Sequence, residues 1–160
     1  MAYTMKVDGM EEISRQLEEL GNAAPNVAAR ALYEGAGIMA DEIRKEAENI
    51  RTAPLKFTKG GTRLPSPEEK EIVVAAGTGI AKFNKNGTEV DTSVGYRNAG
   101  YADLKGKQKP IPVIVNSINS GTSFMGKQPF VRKAANSGGK KAMDAMRESI
   151  ERAFEEITKK

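Results

Sequence analysis

The side chains that could do chemistry in this 160-residue chain are acids and lysines, because the sequence contains no histidine and no cysteine. Those two residues supply the commonest general base, the commonest transition-metal ligand and the thiolate nucleophile. The acids that stand out are adjacent pairs: Glu11 and Glu12, Asp41 and Glu42, and Glu68 and Glu69. None has the Asp-x-Asp spacing of a metal-binding loop. The pairs therefore indicate solvated surface, and we expect a protein that is not an enzyme and holds no cofactor or metal.

Lysines in two loop-like stretches could instead contact phosphate groups. They are Lys56, Lys59, Lys105, Lys107 and Lys109. Aromatic residues nearby in the sequence could stack on bases: Phe57, Tyr96 and Tyr101. The net charge of +4, however, is low for a dedicated nucleic-acid binder. A small basic nucleic-acid-binding protein that uses these lysine-rich loops is therefore kept as the alternative function.

Hydrophobic periodicity predicts the helices that must position these residues. Apolar residues at gaps of three and four predict a short helix from Met10 to Leu20, closed by Gly21. Pro25 then begins a longer, Ala-rich helix. Gly35 and Gly37 lie inside that helix, and each costs about 1 kcal/mol relative to alanine. We therefore expect another element to approach the helix closely at these glycines.

A C-terminal helical region is predicted to begin at Pro129 and Phe130. Two adjacent glycines cost about 2 kcal/mol in a helix, so a break or kink is expected at residues 136–139. Apolar residues then recur at gaps of three and four, at Met143, Met146, Ile150, Phe154 and Ile157. This stripe predicts a final amphipathic helix that packs its apolar face into the core.

The segments between the helices predict β-structure and two extended loops. Strands are predicted at Tyr3–Gly9, Ile72–Ala76, Ser93–Arg97 and residues 111–118, with a hairpin at Asn86-Gly87. The extended loops are residues 53–70 and 98–111. The predicted fold class is α+β, one domain over residues 1–160. Its long Ala-rich helix and its C-terminal amphipathic helix pack on a small antiparallel sheet.

No segment of the sequence reaches the roughly 18 continuous apolar residues that a membrane-spanning helix needs. The first ten residues also lack the apolar run of a signal peptide. We therefore expect the protein to act in a reducing cytoplasm, or in an assembly made there, without a membrane partner.

The stretch Gly121–Ala134, "GTSFMGKQPFVRKA", places two large apolar residues in a glycine-flanked turn before a proline-started helix. Phe130 is expected to pack inward with that helix. No local pattern buries Phe124 or Met125. We therefore expect these two side chains to contact a neighbouring subunit.

Four motifs follow one another along nearly the whole chain: "GMEEISRQLEEL", "RALYEGAGIMADEIRKEA", "VGYRN" and "GTSFMGKQPFVRKA". Their order resembles a phage morphogenesis family, the tail-component or neck (tail-completion) proteins of lambda-like siphophages. Two stretches depart from the family pattern. Asn119 and Ser120 stand where relatives carry an acidic or aromatic residue before the Gly-Thr pair, and the loop after the long helix is extended.

The resemblance implies a structural virion protein of the head-to-tail junction, assembled in the host cytoplasm and located in the neck or tail. Such a protein forms a ring, expected to be a hexamer, through which DNA passes without being read. Its other partners would be the head-closure protein, the tail terminator or the tail tube protein. The expected subunit contacts are Phe57, Leu64, Tyr101, Phe124, Met125 and Arg132. Lys105, Lys107 and Lys109 are the candidates for DNA or phosphate contact.

Overall fold

The computed structural model describes residues 10–54, 61–82, 84–86 and 89–159. The predicted strand Tyr3–Gly9 and the predicted contact residue Phe57 lie outside these residues. The described helices are α1 (Met10–Glu48), α2 (Pro67–Ala76), α3 (Ile111–Ser120) and α4 (Phe130–Thr158). The described strands are β1 (Gly79–Ile80), β2 (Asn84–Asn86), β3 (Glu89–Asp91), β4 (Val94–Gly95), β5 (Tyr101–Leu104) and β6 (Lys107–Pro110).

The strands form three separate antiparallel pairs, β1 with β4, β2 with β3, and β5 with β6. Together with the long helix α1 and the C-terminal helix α4, they confirm the predicted α+β class. The hairpin predicted at Asn86-Gly87 is confirmed by the pairing of β2 with β3, and the strand predicted at Ser93–Arg97 by β4.

Helix α1 is continuous over 39 residues, so the predicted helix end at Gly21 and the new start at Pro25 are wrong. Pro25 lies on the exposed side of the helix. The inward stripe continues past it through the half-buried Val27 to the buried Ala31. Packing of one apolar face therefore keeps the helix continuous at a proline, although local propensity alone would place this proline at a helix start.

Helices α1 and α4 pack antiparallel to each other. Near one end of their contact, Ser137 donates a hydrogen bond to Glu42 at 3.1 Å, and near the other end Arg152 pairs with Glu34 at 3.1 Å. Between these points Gly35 lies directly against Met146. The expected close approach is confirmed at Gly35. At Gly37, in contrast, an added Cβ would meet no atom within 4 Å.

The predicted break at residues 136–139 does not occur, because α4 runs through both glycines. Gly138 faces α1, where an added Cβ would lie 2.7 Å from Cγ of Glu42. Only a glycine lets the two helices approach this closely. Packing therefore offsets the helix propensity that the two glycines lose.

Two predicted strands are helices. The apolar run Ile72–Ala76 is the second half of α2, and residues 111–118 belong to α3. Both helices bury their apolar residues in the core, for example Val73 and Ile118, each 0% exposed. A short apolar run cannot be assigned to strand or helix by periodicity alone, which explains both errors.

Both predicted loops contain regular structure. Residues 98–111 include the β5–β6 hairpin, whose turn has left-handed φ values of 55° at Lys105 and 74° at Gly106. The Asp103 carboxylate accepts a hydrogen bond from the Gly106 backbone N–H at 2.8 Å, which stabilises the turn. The loop predicted over residues 53–70 ends early, because α2 begins at Pro67.

The hydrophobic core lies where the C-terminal end of α1 meets α2, α3 and the start of α4. It includes Ile43, Val73, Ile118 and Phe130, which confirms the predicted inward packing of Phe130. The Phe130 ring meets Tyr96 edge-on at 6.3 Å between centroids. We call the described part between residues 35 and 142 the head. The outer parts of α1 and α4, residues 18–34 and 143–158, are called the arm.

Candidate functional site

The turn at residues 121–126 is fastened to the segment that precedes α2. The Arg63 backbone N–H donates to the Phe124 carbonyl at 2.8 Å, and the Gly126 N–H donates to the Arg63 carbonyl at 2.9 Å. Within the turn, the Thr122 N–H donates to the Met125 carbonyl at 2.9 Å. These bonds hold the backbone of the turn in one conformation and fix the direction of its side chains.

The two apolar side chains of this turn point in opposite directions. Phe124 is 56% exposed, as predicted, but Met125 is only 3% exposed and belongs to the core. The expected exposure of Met125 is therefore wrong. Met125 is buried because it forms a β-bridge with Arg63, and successive side chains of an extended segment point to opposite sides.

The other predicted contact residues are distributed over several elements. Leu64 is half-buried and follows Arg63, so it lies beside the turn that carries Phe124. Tyr101 is 70% exposed on β5, and Arg132 is exposed in the first turn of α4. Leu64 and Phe124 thus lie on two backbone segments that are bridged to each other, whereas Tyr101 and Arg132 belong to other elements of the head.

A cavity of about 260 Å³ lies between the β5–β6 hairpin and the start of α2. We call it the lysine pocket. Its lining residues are Arg63, Ser66, Glu69, Leu104, Lys105, Lys107 and Lys109. Three of the five lysines that were predicted to contact phosphate therefore lie around one cavity, and the other two, Lys56 and Lys59, lie outside the described residues.

An ion pair stabilises one wall of the lysine pocket. Both terminal guanidinium nitrogens of Arg63, Nη1 and Nη2, donate to the Glu69 carboxylate at 2.7 Å, and the two side chains are only 11% and 7% exposed. Glu69 also accepts from the Ser66 backbone N–H at 2.8 Å, while its own N–H donates to the Ser66 hydroxyl at 3.1 Å. This capping box begins α2 and fixes the pair in place.

The charges of this wall cancel. Burial raises the pKa of Glu69, but the hydrogen bonds from Arg63 and Ser66 and the nearby positive charges outweigh it, so that the net pKa lies below its usual value. The hydrogen bond to Glu69 raises the pKa of Arg63. Both groups are ionised, and the pocket keeps the positive charge of its three lysines. Within the described part of the chain, none of these lysines forms an ion pair within 4 Å.

The apolar stripe of α4, which was predicted to be core, is exposed at Met143 and Phe154 and only half-buried at Met146, Ile150 and Ile157. Met143 is 64% exposed and Phe154 is 41% exposed. They border a shallow groove of about 530 Å³ lined by Met143, Met146, Arg147, Ile150, Glu151 and Phe154. Apart from Phe130, the buried residues of α4 are instead small ones, namely Ala134, Gly138, Ala142 and Ser149, and Met146 of the stripe lies against Gly35 of α1. Small side chains let the helices approach closely and leave the large ones at the edge of the contact.

A row of acidic side chains runs beside this groove. Asp144, Glu148, Glu151 and Glu155 follow one another at gaps of four, three and four, which places them on one face of α4. All four are exposed. Of these four acids, only Glu155 has an ion-pair partner among the described residues, Lys159 at 3.3 Å. We call this row the acidic ridge.

The described residues contain no group of three or more acids that could hold a metal ion. Within the same part of the chain, no helix is both long enough and apolar enough to cross a membrane. Arg63 is a residue of this site that the sequence did not single out. The expected solvated position is wrong for Glu69 and also for Glu42, which are 5% and 9% exposed because each is held by hydrogen bonds in a packed contact. The signal for Glu69 was the pattern Ser66-Pro67-Glu68-Glu69, which is typical of a capped helix start.

Comparison of the chain with protein-family models, with curated proteins and with solved structures found no match.

Proposed function

We propose that the chain is a structural protein of a phage head-to-tail junction, a neck or tail-completion protein that assembles into a ring. In this proposal six copies surround a lumen through which DNA passes unread, and the ring contacts a head-closure, tail-terminator or tail-tube protein. The motif order along the chain supports the family. The arrangement of exposed apolar side chains on fixed backbone supports self-association.

The observation that carries the proposal is the position of Phe124. Its side chain is 56% exposed on a turn whose backbone is hydrogen-bonded to the segment before α2. Burying a phenylalanine is worth about 2 kcal/mol. Because the turn is already ordered, little of that free energy is lost to ordering it on association. Phe124 is therefore suited to anchor a contact between subunits.

Nucleic-acid binding remains the second candidate, because the structure gathers three lysines around one pocket. The aromatic residues do not join them. Tyr96 is buried, and the register of β5 with β6 places Tyr101 opposite Pro110, on the other sheet face from Lys107 and Lys109. Contact with DNA would then be limited to phosphates. Such binding should weaken by roughly 0.9 log units per log unit of salt for each phosphate contact.

The proposed function is tested in the phage that encodes the chain. Without the protein, we expect DNA-filled heads and finished tails to accumulate separately in electron micrographs. Addition of purified protein to that lysate should join them. An antibody to the chain should label the junction of complete particles. Normal infectious particles formed without the protein would overturn the proposal.

A point substitution tests the role of Phe124. We expect Phe124→Ser to fold normally but to join heads and tails at least about tenfold less well, since about 1.4 kcal/mol of lost contact energy corresponds to a factor of ten. Val113→Ser is the matched control, because Val113 is 57% exposed but lies on α3. If the Phe124→Ser variant and the unchanged chain join heads and tails equally well, Phe124 is not part of the contact.

A further inference from the structure

The head and the arm carry opposite charges that are largely unpaired within one chain. In α4 itself, residues 130–142 contain four basic and no acidic side chains, whereas residues 143–158 contain five acidic and two basic ones. Asp144, Glu148 and Glu151 of the acidic ridge have no ion-pair partner within 4 Å among the described residues. The three lysines of the lysine pocket also have none there.

The two sets belong to different ends of the fold. The lysine pocket is built from the start of α2 and the β5–β6 hairpin, where β5 contacts α2 and β6 contacts α3. The acidic ridge continues outward along α4, and Glu155 lies about 25 Å beyond Gly138 at about 1.5 Å per residue. Pairing of the two sets is therefore expected between copies of the chain.

We infer that the acidic ridge of one copy docks into the lysine pocket of the next copy. This inference rests on the proposed ring and names the surfaces that close it. The contact joins two different surfaces, so it is heterologous, and repeated heterologous contacts form a ring when the rotation between neighbours closes. Complementary charge also steers the encounter of the two surfaces.

The apolar groove beside the ridge fits the same contact. Lysine side chains carry four methylene groups, which can lie along apolar surface while the ammonium group meets a carboxylate. The stems of Lys105 and Lys107 could cover Met143 and Phe154 while their charges reach Glu151 and Glu155. Docking would thus remove apolar surface from water and pair charges at the same time.

A second copy of the chain fits the pocket better than a nucleic acid does. Tyr101 lies on the opposite sheet face from Lys107 and Lys109, so stacking and phosphate contact do not converge. The net charge is only +4. The chain itself supplies exposed acids of the required charge.

The test uses two charge-reversal variants of the full chain. The pocket variant carries Lys105→Glu and Lys107→Glu, and the ridge variant carries Glu151→Lys and Glu155→Lys. Lys109 is left unchanged because its charge acts on the pKa of Glu69. The control carries Lys82→Glu and Lys140→Glu, two exposed positions elsewhere in the head. Circular dichroism and thermal unfolding establish that each variant is folded.

Self-association is then measured by sedimentation velocity at low salt. We expect each reversal variant alone to associate at least tenfold more weakly than the unchanged chain, and the control to associate normally. An equimolar mixture of the two variants offers two unlike-charged surfaces, the lysine pocket of the ridge variant and the acidic ridge of the pocket variant. Because the reversed pocket and the reversed ridge are also unlike-charged, that mixture should associate about as strongly as the unchanged chain, with the two variants alternating. A chain that carries all four reversals should regain association.

Three results would overturn the inference. Normal association of the pocket variant would show that the acidic ridge pairs with another surface, such as the apolar groove of a second copy. Loss of binding to a DNA oligonucleotide with unchanged self-association would assign the pocket to nucleic acid. A mixture that stays monomeric would show that the two surfaces do not meet. If the mixture pairs as expected but phage particles form without the protein, the contact stands and only the proposed function fails.

Discussion

The outer face of α4 and the turn at residues 121–126 carry the same kinds of side chain and place them in opposite environments. Met143 and Phe154 belong to a regular apolar stripe, yet they are 64% and 41% exposed. Met125 lies in an irregular glycine-flanked turn, yet it is 3% exposed. Burial in this chain is therefore decided by which backbone segments approach each other, and the local pattern of apolar residues does not decide it.

The difference has a physical cause in each region. In α4, the contact with α1 is made by small residues such as Gly138 and Ala142 together with Met146, so Met143 and Phe154 remain at its edge. In the turn, a β-bridge to Arg63 directs Met125 inward and Phe124 outward. The two regions show that large apolar residues of a helix can lie exposed at the edge of a helix contact when small residues let the two helices approach closely.

The largest expected effect comes from the same substitution made in both regions. Met125→Ser removes a buried side chain and should lower the free energy of unfolding by about 3 kcal/mol. Met143→Ser, at an exposed position of α4, should lower it by about 0.5 kcal/mol or less. Urea unfolding followed by circular dichroism measures both values. Equal losses at the two positions would mean that the comparison between the regions is wrong.

The elements of the fold differ in how far the sequence alone could predict them. The long helix, the C-terminal helix and the hairpin at Asn86-Gly87 follow from periodicity and turn chemistry. The runs Ile72–Ala76 and 111–118 do not, because a short buried segment leaves no polar face from which its period can be seen. The continuity of α1 through Pro25 depends on packing along its inward stripe, which local propensity does not contain.

A smaller effect is expected from two adjacent glycines of α4. Gly138 faces α1, and a leucine there would overlap Glu42, so Gly138→Leu should cost about 2 kcal/mol of stability. Gly139 is the matched control, since an added Cβ meets no atom within 4 Å. Gly139→Ala should stabilise the protein by up to about 1 kcal/mol through helix propensity. Thermal unfolding of the two variants checks both signs, and a gain in stability for Gly138→Leu would contradict the close packing of α4 on α1.

The candidate site was predictable in its residue types more than in its geometry. Exposure of Phe124 followed from the turn, and the lysine-rich stretch marked Lys105, Lys107 and Lys109. Their convergence with Arg63 and Glu69 requires a contact between α2 and the β5–β6 hairpin, which are separated by more than twenty residues in the chain. The acidic ridge has a helical spacing that the sequence contains, but its role as a free surface depends on which face of α4 packs on α1.

The smallest effect expected on the packed face of α4 is a pH dependence of stability. Hydrogen bonds from Lys141 and Ser137, each at 3.1 Å, hold the pKa of Glu42 below its usual value of 4.5 and outweigh the opposing effect of burial. Because the pKa is lower in the folded state, the carboxylate stabilises the protein fully above its unfolded pKa. This stabilisation is lost as the pH falls below about 4.5 and through the folded pKa.

Two variants separate the Glu42 contribution from the other carboxylates. Glu42→Gln should flatten part of the stability profile between neutral and acidic pH, measured as urea midpoints at successive pH values. Lys141→Met removes the hydrogen bond that lowers the pKa of Glu42 most. It should flatten the profile in the same direction but by less, since the hydrogen bond from Ser137 remains. Lys141 is 65% exposed, so salt should reduce its share of the effect. If neither variant changes the profile, the ionisation of Glu42 does not contribute to stability. The two faces of α4 would then differ only in the size of their side chains.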